Sequence, residues 1–227
     1  MTDALAFLAL PALACMALVG IHAYFGLHVL KRNVIFVDLA LAQVAALGAT
    51  AAFLLGHSPQ SVTAHAYALT FTLVAAALLA SSRSWSTRVP QEAQIGVVYV
   101  VAAAAALLLV DRAPQGAEHI RQILTGNILT VGWDELMWAI PLYAVVGITY
   151  PLVARRLAPG SWLAEFAFYA AFGMVVTSSV ALAGVLLVFA SFIGPRANLH
   201  LPGAPYLLAA AILLAACAIA WAATRQR

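Results

Sequence analysis

Charged side chains are scarce in this chain of 227 residues: Asp, Glu, Lys and Arg together make up only 8% of it. A water-soluble domain carries about 25% charged residues, so this chain has too few to cover a water-exposed surface. Hydrophobic residues make up 65% and the mean hydropathy is +0.99, which excludes a disordered chain. The sequence therefore predicts a protein whose main solvent is the lipid bilayer.

Cysteines and known catalytic motifs are also few or missing. Cys15 and Cys217 lie in apolar runs at opposite ends of the chain, without the spacing of a metal site or a disulfide framework, so we expect them to be packing residues. The sequence lacks a G-x-x-x-x-G-K-[ST] phosphate loop, a G-x-S-x-G motif and an H-E-x-x-H motif. It therefore predicts a chain that is not an enzyme and does not itself use ATP. A net charge of +3 without a dense basic stripe gives no indication of nucleic-acid binding.

Long apolar segments make up most of the sequence. A helix that spans a membrane needs about 20 consecutive apolar residues. The sequence predicts an all-α, polytopic integral membrane protein with a single transmembrane domain over residues 1–227. The sixth segment is long enough to be tilted or broken, at Gly173 or Gly184, and residues 120–131 are apolar but too short to span, which predicts a re-entrant or interfacial helix. The seven predicted spans are residues 4–30, 34–55, 64–80, 93–110, 136–154, 166–193 and 206–223.

Basic residues are distributed unevenly between the two sides that these spans define. Eight of the eleven follow the first, third, fifth and seventh spans, and three lie on the other side. Because cytoplasmic loops carry the excess of Lys and Arg, this asymmetry predicts an N-terminus outside the cell and a C-terminus in the cytoplasm.

Ionisable residues inside spans are costly and therefore indicate functional positions. A rise of 1.5 Å per residue places Asp38 roughly 7 Å into the bilayer and Gln43 about 15 Å into it. If the first span runs beside the second as a hairpin, His28 lies at the depth of Asp38 and His22 near that of Gln43. One interpretation is a polar track for a divalent metal ion, with carboxylate and imidazole ligands. The other is structural, with Asp38 capping the helix or bridging to Lys31 or Arg32, and each histidine bonded to a neighbouring carbonyl group.

Two further candidates, Glu118 and His119, lie on the long connection that the predicted topology places outside the cell. They are suited to receiving a metal ion, although a solvated pair on a loop is the simpler interpretation. His57 and His65 flank the other outer connection and are expected at the membrane interface.

Four segments, in order along residues 20–200, resemble the motifs of the zinc- and manganese-type ABC transporter permeases. In the first, Asp38 matches the aspartate that opens a D-A-L-S-H-like stretch ending in a glycine, here Gly48, but Ala42 and Gln43 stand where the serine and histidine would fall. The connection after Arg156 is also much shorter than the coupling segment of the family. The four segments are residues 27–43, 92–99, 123–131 and 183–188, the last followed by Pro195.

The resemblance implies a permease subunit that moves Zn²⁺ or Mn²⁺ across the cytoplasmic membrane. It implies a permease dimer, a separate ATP-binding cassette subunit that supplies the energy, and an extracytoplasmic metal-binding protein, with no cofactor held by this chain. Asp38 would be a ligand or gate, His22 and His28 would line the path, and Glu118 and His119 would help to receive the ion.

Two other classes of protein remain open at this point. One is a membrane subunit that only scaffolds a larger complex. Neighbouring genes for an ATPase and a metal-binding protein would argue against this class. The other is a membrane redox protein with haem on paired histidines, which the absence of a Soret band in the purified protein would exclude.

Overall fold

The computed structural model describes residues 2–82, 89–112, 116–126 and 128–193, and within these ranges the regular structure is entirely helical. A 3₁₀ turn, Ile128–Thr130, precedes the sixth α-helix. The helices are α1 (Thr2–Arg32), α2 (Val37–Leu54), α3 (Val62–Ser82), α4 (Gln91–Val110), α5 (Gly116–Thr125), α6 (Trp133–Ala154) and α7 (Trp162–Ile193).

Six of these helices are long and apolar enough to cross a membrane: α1 to α4, α6 and α7. They match the first six predicted spans, and the all-α membrane fold is confirmed. The predicted seventh span, residues 206–223, lies outside the described residues. The predicted short helix over residues 120–131 is found as α5 and the 3₁₀ turn, although α5 begins earlier, at Gly116, and ends at Thr125.

The predicted hairpin of α1 and α2 is wrong, because the two helices do not pack along each other. In the described part of the chain α1 lies against α7 and α6, whereas α2 lies against α3, α4 and α7. An aromatic stripe explains the outcome: Phe25 on α1 is fully buried and stacks on Phe172 of α7, with 5.2 Å between ring centroids. Burying these large rings outweighs the usual preference of consecutive helices to be adjacent.

Helix α7 is the centre of the bundle, since it packs against α1, α2, α3, α5 and α6. Small residues make this possible, as in other membrane helices. A Cβ atom on Gly173 would lie 2.6 Å from Cγ2 of Thr72 on α3. Two hydroxyl pairs link α7 to its neighbours: Thr72 with Thr177 at 3.0 Å, and Tyr143 with Ser179 at 2.9 Å.

The break predicted in the sixth span is confirmed at Gly184, whose backbone angles are φ 74° and ψ 163°. The break lies against the end of α5, where Gly126 also has a positive φ of 63°. Neither glycine has room for a Cβ atom, because the two backbone segments meet directly. Helix α5 is therefore fixed to the bundle at the point where α7 is interrupted.

Candidate functional site

Asp38 and His22 are the two candidate residues that the fold buries completely within spanning helices. Asp38, in the first turn of α2, is 1% exposed, and His22 on α1 is 0% exposed. An ionisable group in a spanning helix is expected to face the bundle interior because facing lipid is expensive. That expectation is confirmed for both residues.

The histidines of α1 each bond to a carbonyl group one turn earlier, as their structural interpretation predicted. Nδ1–H of His22 donates to the Leu18 carbonyl oxygen at 2.9 Å, and Nδ1–H of His28 donates to that of Tyr24 at 3.0 Å. These bonds leave Nε2 of each ring as the nitrogen with an available lone pair. Nε2 of His22 is buried and has no hydrogen-bond partner among the described residues.

The two predicted polar layers, Asp38 with His28 and His22 with Gln43, depended on the hairpin and do not form. His22 faces α7, where its ring lies 6.4 Å from that of Phe172. His28 is half-buried and faces α6, with 5.3 Å between its ring and that of Tyr150. Gln43 lines a cavity of about 150 Å³ formed by residues of α2, α4 and α5. The structure thus places His22 and Gln43 at different interfaces.

Ionic groups cluster where α1 ends and α7 begins. Nε of Arg32 lies 3.5 Å from Oε2 of Glu165, and the guanidinium group lies 4.1 Å from the centre of the Phe168 ring. The ion-pair partner that the structure gives Arg32 is therefore on α7. The carboxylate of Glu92, in the first turn of α4, accepts the backbone N–H groups of Ile35 and Phe36 in the α1–α2 turn.

Glu118 and His119 are neighbours on α5 but have opposite environments. Glu118 is exposed and pairs with Arg121 at 3.4 Å, as expected of a solvated residue. His119 is only 3% exposed, and its ring stacks on Phe53 of α2 with centroids 4.2 Å apart and planes 9° apart. The structure therefore separates the predicted receiving pair, and His119 alone points into the protein.

His119 lines a cavity of about 90 Å³ beneath α5. Its other polar lining residues include His65, Gln60, Gln122 and Thr177, which come from α3, the α2–α3 turn, α5 and α7. No pattern in the sequence joins His65 to this group, because a position at the membrane interface was enough to explain it. Only the packing of α5 on α7 and α4, with His119 stacked on Phe53 of α2, brings His119 to the cavity that His65 also lines.

Burial lowers the pKa of His119, because removing the ring from water disfavours its charged form. The imidazole is therefore neutral at pH 7, and a neutral ring can offer a lone pair to a metal ion. Among the described residues no group of three or more His, Cys, Asp or Glu side chains is arranged to hold a metal ion.

Comparison with known proteins decides the class of this bundle. The model of the ABC 3 transport family matches residues 4–224. The chain belongs to this family. The prediction of a permease of the metal ABC transporter type is confirmed, and the chain is a multi-pass membrane protein.

A solved structure supports the fold of this family member. It is described as PsaBC from Streptococcus pneumoniae in complex with Fab, and it is similar with a TM-score of 0.64 and 17% sequence identity. The similarity covers 93% of this chain and 81% of the other. No curated protein matches the chain.

Proposed function

We propose that this permease forms the membrane path for Zn²⁺ or Mn²⁺ in the cytoplasmic membrane, and that Asp38 belongs to that path. The burial of Asp38 in a spanning helix is the observation that carries the proposal. Ionisable side chains inside membrane spans are rare because they are costly there, and they often mark the path of an ion. Carboxylate and imidazole are suitable ligands for these two ions, and His22, fully buried on α1, supplies the second kind of ligand.

The proposal assigns the remaining work to partner proteins. The chain has no phosphate loop, so a separate ATP-binding cassette subunit would supply the energy. An extracytoplasmic metal-binding protein would deliver the ion at the end of the bundle that carries α5, and a second permease chain would complete the path. The metal ion is cargo, and the chain itself would neither hold a cofactor nor catalyse a reaction.

The contact with the ATPase would lie on the α3–α4 connection. Only seven residues join α6 to α7, too few for the coupling segment that the family carries there. Nε1 of Trp162 donates to Oγ of Ser81 at 3.0 Å, so this short turn is held against the end of α3. A protein that docks on the α3–α4 connection would therefore also lie close to the start of α7.

Substituting Asn for Asp38 tests the proposal, because it keeps the size and hydrogen bonding of the side chain but removes its charge. We expect metal accumulation per folded protein to fall about tenfold or more, as for other losses at metal sites, while the melting temperature stays close to that of the unmodified protein. His22→Ala should also lower accumulation. The measurements are uptake of radioactive Zn²⁺ or Mn²⁺ in cells with the complete transporter, and thermal melting in detergent.

Asp134→Asn is the matched control, since Asp134 lies in the first turn of α6 but is exposed. It should leave uptake unchanged. A structural role for Asp38 predicts the opposite result for Asp38→Asn: a lower melting temperature with normal uptake per folded protein. Normal uptake by both Asp38→Asn and His22→Ala would remove these residues from the path.

A further inference from the structure

The side chain of His119 is buried without the hydrogen bonds that a buried imidazole normally makes. Neither Nδ1 nor Nε2 has a hydrogen-bond partner within the part of the chain that the structure describes, although the residue is only 3% exposed. Most buried polar side-chain atoms are satisfied, and exceptions call for an explanation such as an unoccupied ligand site. The stacking of the ring on Phe53 fixes its plane but uses neither nitrogen.

The cavity beside His119 is large enough for a partially hydrated ion. Its volume is about 90 Å³, whereas one water molecule needs roughly 10–15 Å³ of such space. Alanines on α2 and α3 create the space because their short side chains leave the helix surfaces open. The alanines that line the cavity on these helices are Ala45, Ala46, Ala49, Ala64 and Ala68.

His65 offers a second imidazole on the wall of the same cavity. Nδ1–H of His65 donates to the Ser61 carbonyl oxygen at 3.1 Å, which fixes the tautomer and leaves Nε2 as the nitrogen able to bind a ligand. A backbone carbonyl acceptor on the far nitrogen is the usual outer support of a metal-binding histidine. His65 is exposed, so an ion can reach it from solvent.

We propose that this cavity is a binding site for a divalent transition-metal ion that prefers imidazole, such as Zn²⁺, with His119 and His65 as its protein ligands. The proposal rests on the proposed function only in taking a divalent metal as the ion that reaches this end of the chain. Two protein ligands and several water molecules make an open site, which suits an ion that is received and passed on. The amide oxygens of Gln60 and Gln122, on the same wall, are further oxygen donors.

The ligand set also favours one kind of ion. Imidazole nitrogens suit Zn²⁺, Ni²⁺, Cu²⁺ and Co²⁺, whereas carboxylate oxygens suit Mn²⁺. Glu118, the carboxylate next to His119 in the sequence, is exposed and paired with Arg121. The site should therefore bind Zn²⁺ more tightly than Mn²⁺, following the general order of metal affinities.

The test is metal binding by the purified chain in detergent, with neither ATPase nor transport involved. Zn²⁺ affinity is measured by competition with a chromophoric chelator, and bound Co²⁺ by its visible absorption. We expect His119→Phe and His65→Ala each to weaken Zn²⁺ binding by about tenfold or more. Phe at position 119 preserves the ring that stacks on Phe53, so the packing of α5 should persist, and His65→Ala tests the site on an exposed residue.

Two matched variants separate this site from others. His57→Ala should bind Zn²⁺ like the unmodified chain, because His57 lies near the same turn but is not part of the cavity wall. Asp134→Asn should also bind normally, because its exposed carboxylate lies at the start of α6 and outside the cavity wall. Binding is measured without transport, so a failure of the proposed path would leave this result intact. Unchanged affinity in folded His119→Phe or in His65→Ala, an equal loss in either control, or tighter binding of Mn²⁺ than of Zn²⁺ would overturn the proposal.

Discussion

The ion pair between Arg32 and Glu165 shows how single residues hold the bundle together at the end opposite α5. The side chain of Glu165 is 5% exposed and that of Arg32 is 22% exposed, so the pair is mostly out of water. Its geometry joins the last turn of α1 to the first turn of α7, and Phe168 adds a cation–π contact. Breaking a buried ion pair leaves one charge without compensation. The resulting loss of folding stability is larger than the stability that an exposed ion pair contributes.

We therefore expect Glu165→Gln to lower the free energy of unfolding by roughly 1–3 kcal/mol, less than for a fully buried pair because Arg32 can still reach water. Thermal melting in detergent measures the change. Arg155→Gln is the control, since Arg155 is exposed and a change there should stay within about 0.5 kcal/mol. Equal melting temperatures for Glu165→Gln and the unmodified protein would show that the pair contributes nothing to stability.

At the scale of a helix, the decisive feature is the interruption of α7 at Gly184. Its backbone angles belong to a region that is essentially restricted to glycine. A Cβ atom there would also lie 2.6 Å from the carbonyl carbon of Thr125 and 2.7 Å from the carbonyl oxygen of Leu124. Helix α5 can pack into the break only because two glycines, Gly126 and Gly184, face each other.

Gly184→Ala should therefore destabilise the protein by roughly 2–6 kcal/mol, from backbone strain together with overpacking. The measurement is the melting temperature and the yield of folded protein in detergent. Gly20→Ala is a matched change inside α1, where a Cβ atom would meet nothing within 4 Å, and it should leave stability equal or slightly higher. A Gly184→Ala protein as stable as Gly20→Ala would contradict the role given to the break.

For the whole molecule, the two ends of the bundle differ in charge and in the elements that they carry. The last turn of α1 holds Lys31 and Arg32, and the turn after α6 holds Arg155 and Arg156, whereas α5 and the cavity below it lie at the other end. The positive-inside rule places the first end in the cytoplasm. On this orientation the cavity with His119 and His65 would face the outside of the cell.

Cysteine labelling tests this orientation in a background without Cys15 and Cys217. With an impermeant thiol reagent added to intact cells, Glu118→Cys should react and Arg155→Cys should not, although both positions are exposed in the structure. Both should react in permeabilised cells, which shows that each cysteine is accessible. Labelling of Arg155→Cys alone in intact cells would reverse the assignment of the two sides.

The sequence by itself determined that the chain lies in a lipid bilayer, that its fold is helical, and where each described span lies. Scarce charge and long apolar segments leave no alternative to a helical membrane bundle, because backbone groups in lipid must bond within their own helix. The order of four motifs indicated the family, and Asp38 and His22 were predicted as candidate site residues because an ionisable residue in a span is unusual. The break of the sixth span could be predicted because Gly184 is one of only two glycines within it.

Only the tertiary structure decided which helices are neighbours and which side chains share a site. Sequence distance favoured α1 beside α2, but the fit of the Phe25 and Phe172 rings placed α1 on α7. Adjacent residues 118 and 119 were predicted to act as one pair, yet the fold of α5 exposes Glu118 and buries His119 on a cavity that His65 also lines. Contacts between residues far apart in the chain depend on side-chain shape across several helices, and no local pattern contains that information.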